Sequence, residues 1–454
     1  MEVTLQQILD ARELRVSRQK ALLAQYKLPL ICFTMNIAGP EKCNDLVKWG
    51  FALGNRWLSA QLSDLKVVHR ELHTEPTGCE GYYVVDTTPT ELKRRAVQVE
   101  DYAPVARLFD MDVLDIDGSK LERTALGFPG RKCLLCDNPA HQCSRSRTHS
   151  VEQLQAETKR LLQEALDTED CRHIGQIAQQ SLLYEVCTTP KPGLVDCHNS
   201  GSHKDMDIFT FMASSAALGD YFRECAEIGV QSRQLDAGEV LPLLRFPGKL
   251  AEQAMYEATG GVNTHKGCIF SLGILCAAAG RLEADRRSPE TILEQCKAIT
   301  KGITGELNKE NAGTAGERLF AQHGITGVRG QAESGFPAIL DIGLPALRKG
   351  LQKGLSLNDA GCATLLALLA ATVDTNLVHR SDLQQQQAVS AQITELLKVD
   401  AYPSKETLEN LDLQFMEKNL SPGGSADLLA LTYFLHLLCD CKENTPCNMG
   451  KTMA

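Results

Sequence analysis

The stretch ARLFDMDVLDIDG, residues 106–118, decides how the first third of the chain is read. From Arg107 to Ile116 its pattern is that of a strand. A period of two sends Leu108, Asp110, Asp112 and Leu114 to one face and Arg107, Phe109, Met111 and Val113 to the other. Two carboxylates therefore leave an otherwise apolar strand side by side. Their repulsion asks for a cation, and Mg²⁺ held against substrate phosphates suits a pair of hard oxygen donors, where it would neutralise charge on a departing phosphate group. The same spacing also fits a strand at a sheet edge with both acids in water.

The residues around this strand mix helix and strand signals. Thr4 with Gln7 forms a capping box, and Leu5, Ile8, Leu9 and Val16 lie near helical spacing, which predicts a helix over residues 4–26. After Pro29 the run LICFTMNI, closed by Gly39-Pro40, reads as a buried strand, and residues 82–85 as another. Ser150 with Gln153 opens a further helix carrying Val151, Leu154, Leu161, Ala165 and Leu166. That helix is expected to end in the polar stretch ALDTEDCRH, near residues 167–173.

Beyond that point the texture changes. Alternation nearly vanishes, and Ala/Leu-rich segments such as FMASSAALGDYF, GCIFSLGILCAAAG and GCATLLALLAATV recur. The expected fold is two domains: a mixed α/β domain over 1–170 and an all-α helical domain over 171–454. A chain of 454 residues is long enough for two cores. The net charge of −10 argues against a nucleic-acid partner, which needs a basic surface. The N-terminus lacks an apolar signal segment, and the longest apolar run, Cys362 to Val373, is too short to cross a bilayer, so no membrane association and a cytoplasmic location are expected. Seventeen cysteines then read as reduced thiols or ligands.

One cysteine-rich segment stands out, RKCLLCDNPAHQCSRSRTH. Cys133, Cys136, Cys143 and His149 offer a zinc ligand set, although the later spacings are not those of a familiar finger. Arg131, Arg145 and Arg147, with Arg107 nearby, suit phosphate contact, since the guanidinium fork matches phosphate oxygens. A solvated basic loop is the plainer reading.

With RELRVSRQKALL, PLICFTMNIAGPEK, ARLFDMDVLDIDG, RKCLLC and CSRSRTH in hand, residues 1–170 resemble the apo-citrate lyase phosphoribosyl-dephospho-CoA transferase family. The resemblance implies transfer of that group from a triphosphate precursor to a serine of the citrate lyase acyl-carrier subunit, with release of pyrophosphate. It also suggests a nucleotidyltransferase-like domain in which Asp110 and Asp112 act as catalytic, metal-binding acids.

The second domain has no P-loop. Its polar groups sit in Gly-rich connections. SPGGSADLL places Gly423, Gly424 and Ser425 at a helix start able to receive an anion. SHKDMD groups His203, Asp205 and Asp207, a candidate Mg²⁺ site or a plain N-cap. HGITGVRGQAESGFP holds Arg329 and Glu333 in what reads as a loop closing over a ligand. DTNLVHR follows an apolar helix with Asp374, Asn376, His379 and Arg380, the second and last sharing a helical face.

These segments, with TPKPGLVDCHNSGSHKDMD carrying Lys191 and VNTHKG carrying Lys266, resemble the triphosphoribosyl-dephospho-CoA synthase family over about residues 172–440. The resemblance implies that ATP and 3′-dephospho-CoA are joined, with adenine displaced from the ribose C1 and the triphosphate kept. Such a reaction needs a carboxylate at the acceptor hydroxyl or the oxocarbenium-like centre, and Asp205, Asp207, Glu333 and Asp374 are the candidates. Ser381-Asp382 stand where the family pattern has two glycines.

The two expected activities follow one another, because the product of the second domain is the substrate of the first. The same chemistry serving malonate decarboxylase is one alternative, and a silent dephospho-CoA or carrier-protein binding module is another.

Overall fold

Helix α1 (Leu5–Tyr26) opens on the expected capping box: Thr4 N–H donates to Gln7 Oε1 at 2.8 Å and Gln7 N–H to Thr4 Oγ1 at 3.3 Å. Its early apolar residues Leu5, Leu9 and Val16 are exposed, and only Leu22 and Leu23 are buried. The protein is described here from a computed structural model, over residues 2–307 and 315–441. It forms two units, one up to Glu169 and one from Asp170 onward. The expected second domain extends to residue 454, past the described residues.

In the first unit α1 leads to β1 (Leu30–Met35), α2 (Asp45–Gln61), β2 (Lys66–Glu75), β3 (Gly78–Asp86), α3 (Pro89–Glu100), β4 (Phe109–Leu114), the short α4 (Ala140–Ser146) and α5 (Val151–Cys187). The strands form one antiparallel sheet in the order β2-β3-β1-β4. Strand alternation gives the sheet two apolar faces. Leu30, Cys32, Tyr82, Val84 and Leu114 pack on Leu22 and Leu23 of α1. Ile31, Phe33, Tyr83, Phe109, Met111 and Val113 pack on Phe51, Leu92, Leu161 and Leu162. Each such buried side chain contributes about 1.5–3 kcal/mol. Gly54 lets α2 press on the sheet, for a Cβ there would lie 2.5 Å from the Phe33 ring.

Three sequence expectations change. The acid-bearing strand begins at Phe109, because Pro104–Leu108 forms a 3₁₀ turn that takes Arg107 and Leu108 off the strand. Strand β2, KVVHRELHTE, was not expected; it is mostly exposed and polar, and it exists because β3 supplies its ladder. The helix after Ser150 does not end near residues 167–173 but runs unbroken to Cys187. Its polar residues are paired: Glu169 with Arg56, and Asp170 with Arg287.

Among its described residues the second unit has helices and connecting loops and no strand, as expected. After α5 come α6 (Ile208–Gln231), α7 (Val240–Ala258), α8 (Lys266–Arg281), α9 (Pro289–Ile299), α10 (Ala315–His323) and α11 (Gly327–Glu333). Then follow α12 (Leu344–Gln352), α13 (Leu357–Ala371), α14 (Thr375–Arg380), α15 (Leu383–Val399), α16 (Lys405–Glu417) and α17 (Gly423–Leu435). Helix α8 is its buried centre. Small residues allow α6 and α8 to cross at backbone distance: a Cβ on Gly229 would lie 2.2 Å from Ala277 O, and one on Gly280 2.2 Å from Ala226 O. A second cluster joins α13, α15 and α16 through Leu366, Ile393 and Phe415. Among the described residues no helix is long and apolar enough to cross a membrane.

Arg287 anchors the start of this unit. It is buried, meets both Asp170 oxygens at 2.7 and 2.5 Å, and donates to Ala279 O at 2.8 Å. Removing one partner leaves a buried charge alone, so Arg287→Ala should destabilise the second unit by about 3–5 kcal/mol. Both tryptophans, Trp49 and Trp57, belong to the first unit. The loss should therefore appear in the far-UV circular dichroism melt and leave the tryptophan fluorescence transition in place.

Candidate functional site

In the first unit the register sets Asp112 across from Cys32 and Asp110 across from Thr34. Strand β4 is the sheet edge, with side chains 44% exposed for Asp110 and 32% for Asp112. They are not simply in water, however. A turn over residues 115–119 brings Lys120 back, its ammonium 2.6 Å from Asp112. Arg131 reaches Asp110 at 3.6 Å and the buried Glu100 at 3.2 Å, and donates to Phe109 O. Burial raises the Asp110 pKa, and the Asp112 charge adds to it against Arg131 and Lys120. Each acid thus already faces a cation, and both keep part of their surface open to a ligand.

Arg131 is also one wall of a 480 Å³ cavity lined with Arg107, Arg123 and Lys132. Arg107 is fixed by donating to Cys133 O. Arg145 and Arg147, expected at phosphate, are exposed at the end of α4 and do not line this cavity. Lys120 and Arg123 were not singled out in the sequence, since isolated basic residues in turns carry no pattern. Cys133, Cys136, Cys143 and His149 do converge, with one ligand atom of each within 4.8 Å of all the others.

The second unit encloses a larger cavity of 1190 Å³. It is lined by nine of the expected residues: Lys191, His203, Lys266, Arg329, Asp374, Asn376, Arg380, Gly423 and Gly424. The elements that set them there are held by buried acids. Asp196 accepts from Lys191 N–H at 2.8 Å and His198 N–H at 2.7 Å, and Asp412 from Gly193 N–H at 2.8 Å, which shapes the 190–202 loop. Asp374 caps α14 through Asn376 and Leu377 N–H at 3.0 and 3.1 Å. Its other oxygen accepts from Ser425 N–H at 2.6 Å and Oγ at 2.9 Å, tying the start of α17 to the start of α14. Ser425 is therefore not the cap of α17, a position held by Pro422. Gly423 and Gly424 permit the approach, since a Cβ on Gly423 would sit 2.6 Å from the Asn376 amide nitrogen.

Several expected roles dissolve. Asp207 is the N-cap of α6, accepting from Thr210 N–H and Oγ1 at 2.9 and 2.8 Å, and Asp205 is 66% exposed; neither lines the cavity. Glu333 points instead at the turn after α9, accepting from Gly302 N–H at 2.5 Å and from Thr304 Oγ1. The segment expected as a closing loop contains helix α11. Lys191 is buried and spends its charge on Glu185, so it is no free phosphate donor. His203 bridges Arg380 at 3.0 Å and Ser421 at 2.8 Å; burial and the Arg380 charge bring its pKa down to about 4, so it is neutral. His379, noted beside Arg380, is also on the wall. Asp382, in place of the second family glycine, caps α15 through Gln385 N–H at 2.7 Å.

Two residues not singled out in the sequence share the cavity. Asp427 faces it from α17, with Cys268 Sγ donating at 3.0 Å. Burial pushes its carboxyl up to about 7; the Cys268 bond opposes this, and the Glu185 and Asp374 charges add to it. A lone acid in the apolar run GGSADLLALTYFL was the available signal. His265 is buried ahead of α8, with Nδ1 2.7 Å from Ser214 Oγ, while Nε2 has no partner. Burial lowers its pKa to about 3.

Each unit thus has its own polar cavity lined by acids and cations, which defines a protein with two separate sites for charged ligands; Asp110 and Asp112 stand beside the first cavity through Arg131 and do not line it. A family model described as ATP:dephospho-CoA triphosphoribosyl transferase matches residues 171–446, and one described as apo-citrate lyase phosphoribosyl-dephospho-CoA transferase matches residues 3–165. The Haemophilus influenzae protein named CitXG is 36% identical over 451 residues, covering 95% of this chain and 96% of that protein. Its namesake from Leuconostoc mesenteroides is 34% identical, covering 95% and 97%. A probable 2-(5''-triphosphoribosyl)-3'-dephosphocoenzyme-A synthase of Vibrio cholerae is 42% identical over 279 residues, 59% of this chain and 88% of that protein. The chain belongs to the family of fused proteins that join these two transferases. It is a bifunctional enzyme of citrate lyase prosthetic-group synthesis, making triphosphoribosyl-dephospho-CoA and transferring the phosphoribosyl-dephospho-CoA group to apo-citrate lyase.

Asp374 holds two helix starts at once, and a cap contributes about 1 kcal/mol. Asp374→Ala should therefore cost the second unit about 2 kcal/mol, read as a lower denaturant midpoint by circular dichroism, with tryptophan fluorescence unmoved.

Proposed function

We propose that the larger cavity binds ATP beside 3′-dephospho-CoA and that Asp427 is the base for the acceptor hydroxyl. The support is a carboxyl in the cavity wall with a pKa near neutrality, where a general base is most effective. Asp374, by contrast, has its oxygens committed to four donors. As adenine leaves the ribose C1, the acceptor oxygen bonds to that carbon and its proton passes to Asp427. Thr264 Oγ1 donates to Ser214 Oγ at 2.8 Å, which directs the Ser214 proton to His265 Nδ1 and leaves Nε2–H as a neutral donor in the cavity. It suits a nitrogen of the departing adenine. The start of α8, which has no side-chain cap, gives the triphosphate a positive dipole end, with Lys266, Arg329 and Arg380 on the same cavity wall.

In the first unit the serine of the acyl-carrier subunit forms its bond to the α-phosphorus as the bond to pyrophosphate breaks. Arg107 and Arg131 hold the phosphates, and Asp110 and Asp112 would hold Mg²⁺, which would supply charge neutralisation to the leaving pyrophosphate. Their hard oxygen donors and partial exposure suit that ion. This is a nucleotidyltransferase type of reaction, placed in the cytoplasm where ATP and dephospho-CoA are found.

Purified protein given ATP, Mg²⁺ and 3′-dephospho-CoA should release adenine, and apo acyl-carrier subunit should then gain mass with release of pyrophosphate. Asp110→Asn should abolish only the second step; loss of both would refute the division of labour.

Asp427→Asn should slow adenine release about 10²–10⁴-fold. Wild-type activity should fall on the acid side with an apparent pKa near 7. The folded state, with a pKa raised from 3.8 to about 7, holds a proton that the unfolded chain has released. The stability this adds is full below 3.8 and is lost as pH rises through about 7. Asp427→Asn should remove that slope and leave the second unit no less stable at pH 8, a result opposite to that of a structural acid.

A further inference from the structure

We propose that Cys133, Cys136, Cys143 and His149 bind one Zn²⁺ that staples the wall of the arginine-lined cavity. The four residues come from three local devices. Cys133 N–H donates to Asn138 O at 2.7 Å and Ala140 N–H to Arg131 O at 2.9 Å, which closes a narrow hairpin with Cys133 and Cys136 near its tip. The seven-residue helix α4 supplies Cys143. The left-handed Arg147 ends it, Thr148 N–H returns to Cys143 O at 3.2 Å, and His149 is turned inward.

The separations are near those around one small ion, which would draw the four ligand atoms together from within 4.8 Å. Cys136 Sγ lies 3.5 Å from Cys143 Sγ and 3.3 Å from His149 Nε2. A tetrahedral zinc site with Zn–S near 2.3 Å and Zn–N near 2.0 Å separates its ligands by roughly 3.5–3.8 Å. Three thiolates and one imidazole are a donor set that selects zinc. The Leu135 and Cys136 amides bond to the Cys133 sulfur, as outer partners of a metal thiolate do.

The segment also needs a staple. Helix α4 is too short to persist alone, its one buried residue is Cys143, and Leu135 is exposed. Yet this segment carries Arg131 and Lys132, and its Cys133 carbonyl receives Arg107. Binding would displace thiol protons to solvent and fix these cations.

The test uses the full chain purified without chelator from zinc-supplemented culture. Metal analysis should find one zinc per chain, falling to near zero in Cys136→Ser and unchanged in Cys197→Ser, whose thiol is exposed in the other unit. Cobalt exchanged into the wild type should give intense thiolate charge-transfer and tetrahedral bands, a readout independent of how any variant folds. No stoichiometric metal, zinc retained by Cys136→Ser, a weak octahedral cobalt spectrum, or a Cys136–Cys143 disulfide in its place would each overturn the site. The bracing role rests on the transfer reading given above. Metal-stripped protein should lose pyrophosphate release while keeping adenine release, and regain it with zinc. Undiminished transfer by the stripped protein would overturn the bracing and leave the transferase assignment intact, whereas a zinc-loaded wild type inactive in transfer would count against that assignment alone.

Discussion

A carboxylate taken out of water must be paired, hydrogen-bonded or protonated, and in this protein that requirement places almost every element near a cavity. Asp170 holds Arg287 at the start of the helical unit. Asp196 and Asp412 spend their oxygens on backbone N–H groups of the 190–202 loop, and Asp374 spends its own on two helix starts. Glu185 is matched by Lys191, and Glu100 by Arg131 and the Met111 amide. The cavities are shaped by these commitments, with apolar packing supplying the mass behind them.

Against that background Asp427 differs. A thiol is a weak donor, and two neighbouring carboxylates raise its proton affinity. The other acids contribute geometry, whereas Asp427 retains a proton equilibrium near neutral pH. In the first unit the contrast is between Asp110 and Asp112, which stay accessible, and Glu100, which is buried behind them. A site for a highly charged substrate needs both kinds: fixed charges that position cations and open ones that meet the ligand.

Much of this was legible from residue order. The strand alternation at Asp110 and Asp112, the capping boxes at Thr4 and Ser150, and the cavity residues in DTNLVHR and SPGGSAD all express local periodicity, which a linear pattern carries. Strand β2 was not legible, because its polar residues become a strand only when β3 offers a partner. Asp207 and Glu333 had the composition of ligands but were consumed by Thr210 N–H and by the 302–304 turn. Asp427 escaped notice for the opposite reason, as a lone acid in an apolar run whose isolation becomes meaningful only once a cavity is seen beside it; His265 was passed over beside Lys266 in the polar connection VNTHKG, where residue order does not mark which side chain turns inward.

Strand β4 lies at the edge of its sheet, where free backbone groups ordinarily invite another chain to add a strand. Here Glu100 accepts the Met111 N–H, Lys93 donates to Met111 O, Arg131 donates to Phe109 O, and Leu121 N–H donates to Val113 O. The ladder is thus closed by charged side chains and a returning loop. The groups that surround the acid pair also protect the sheet from self-association, so loss of charge at Lys93, Glu100 or Arg131 bears on colloidal behaviour as well as on chemistry.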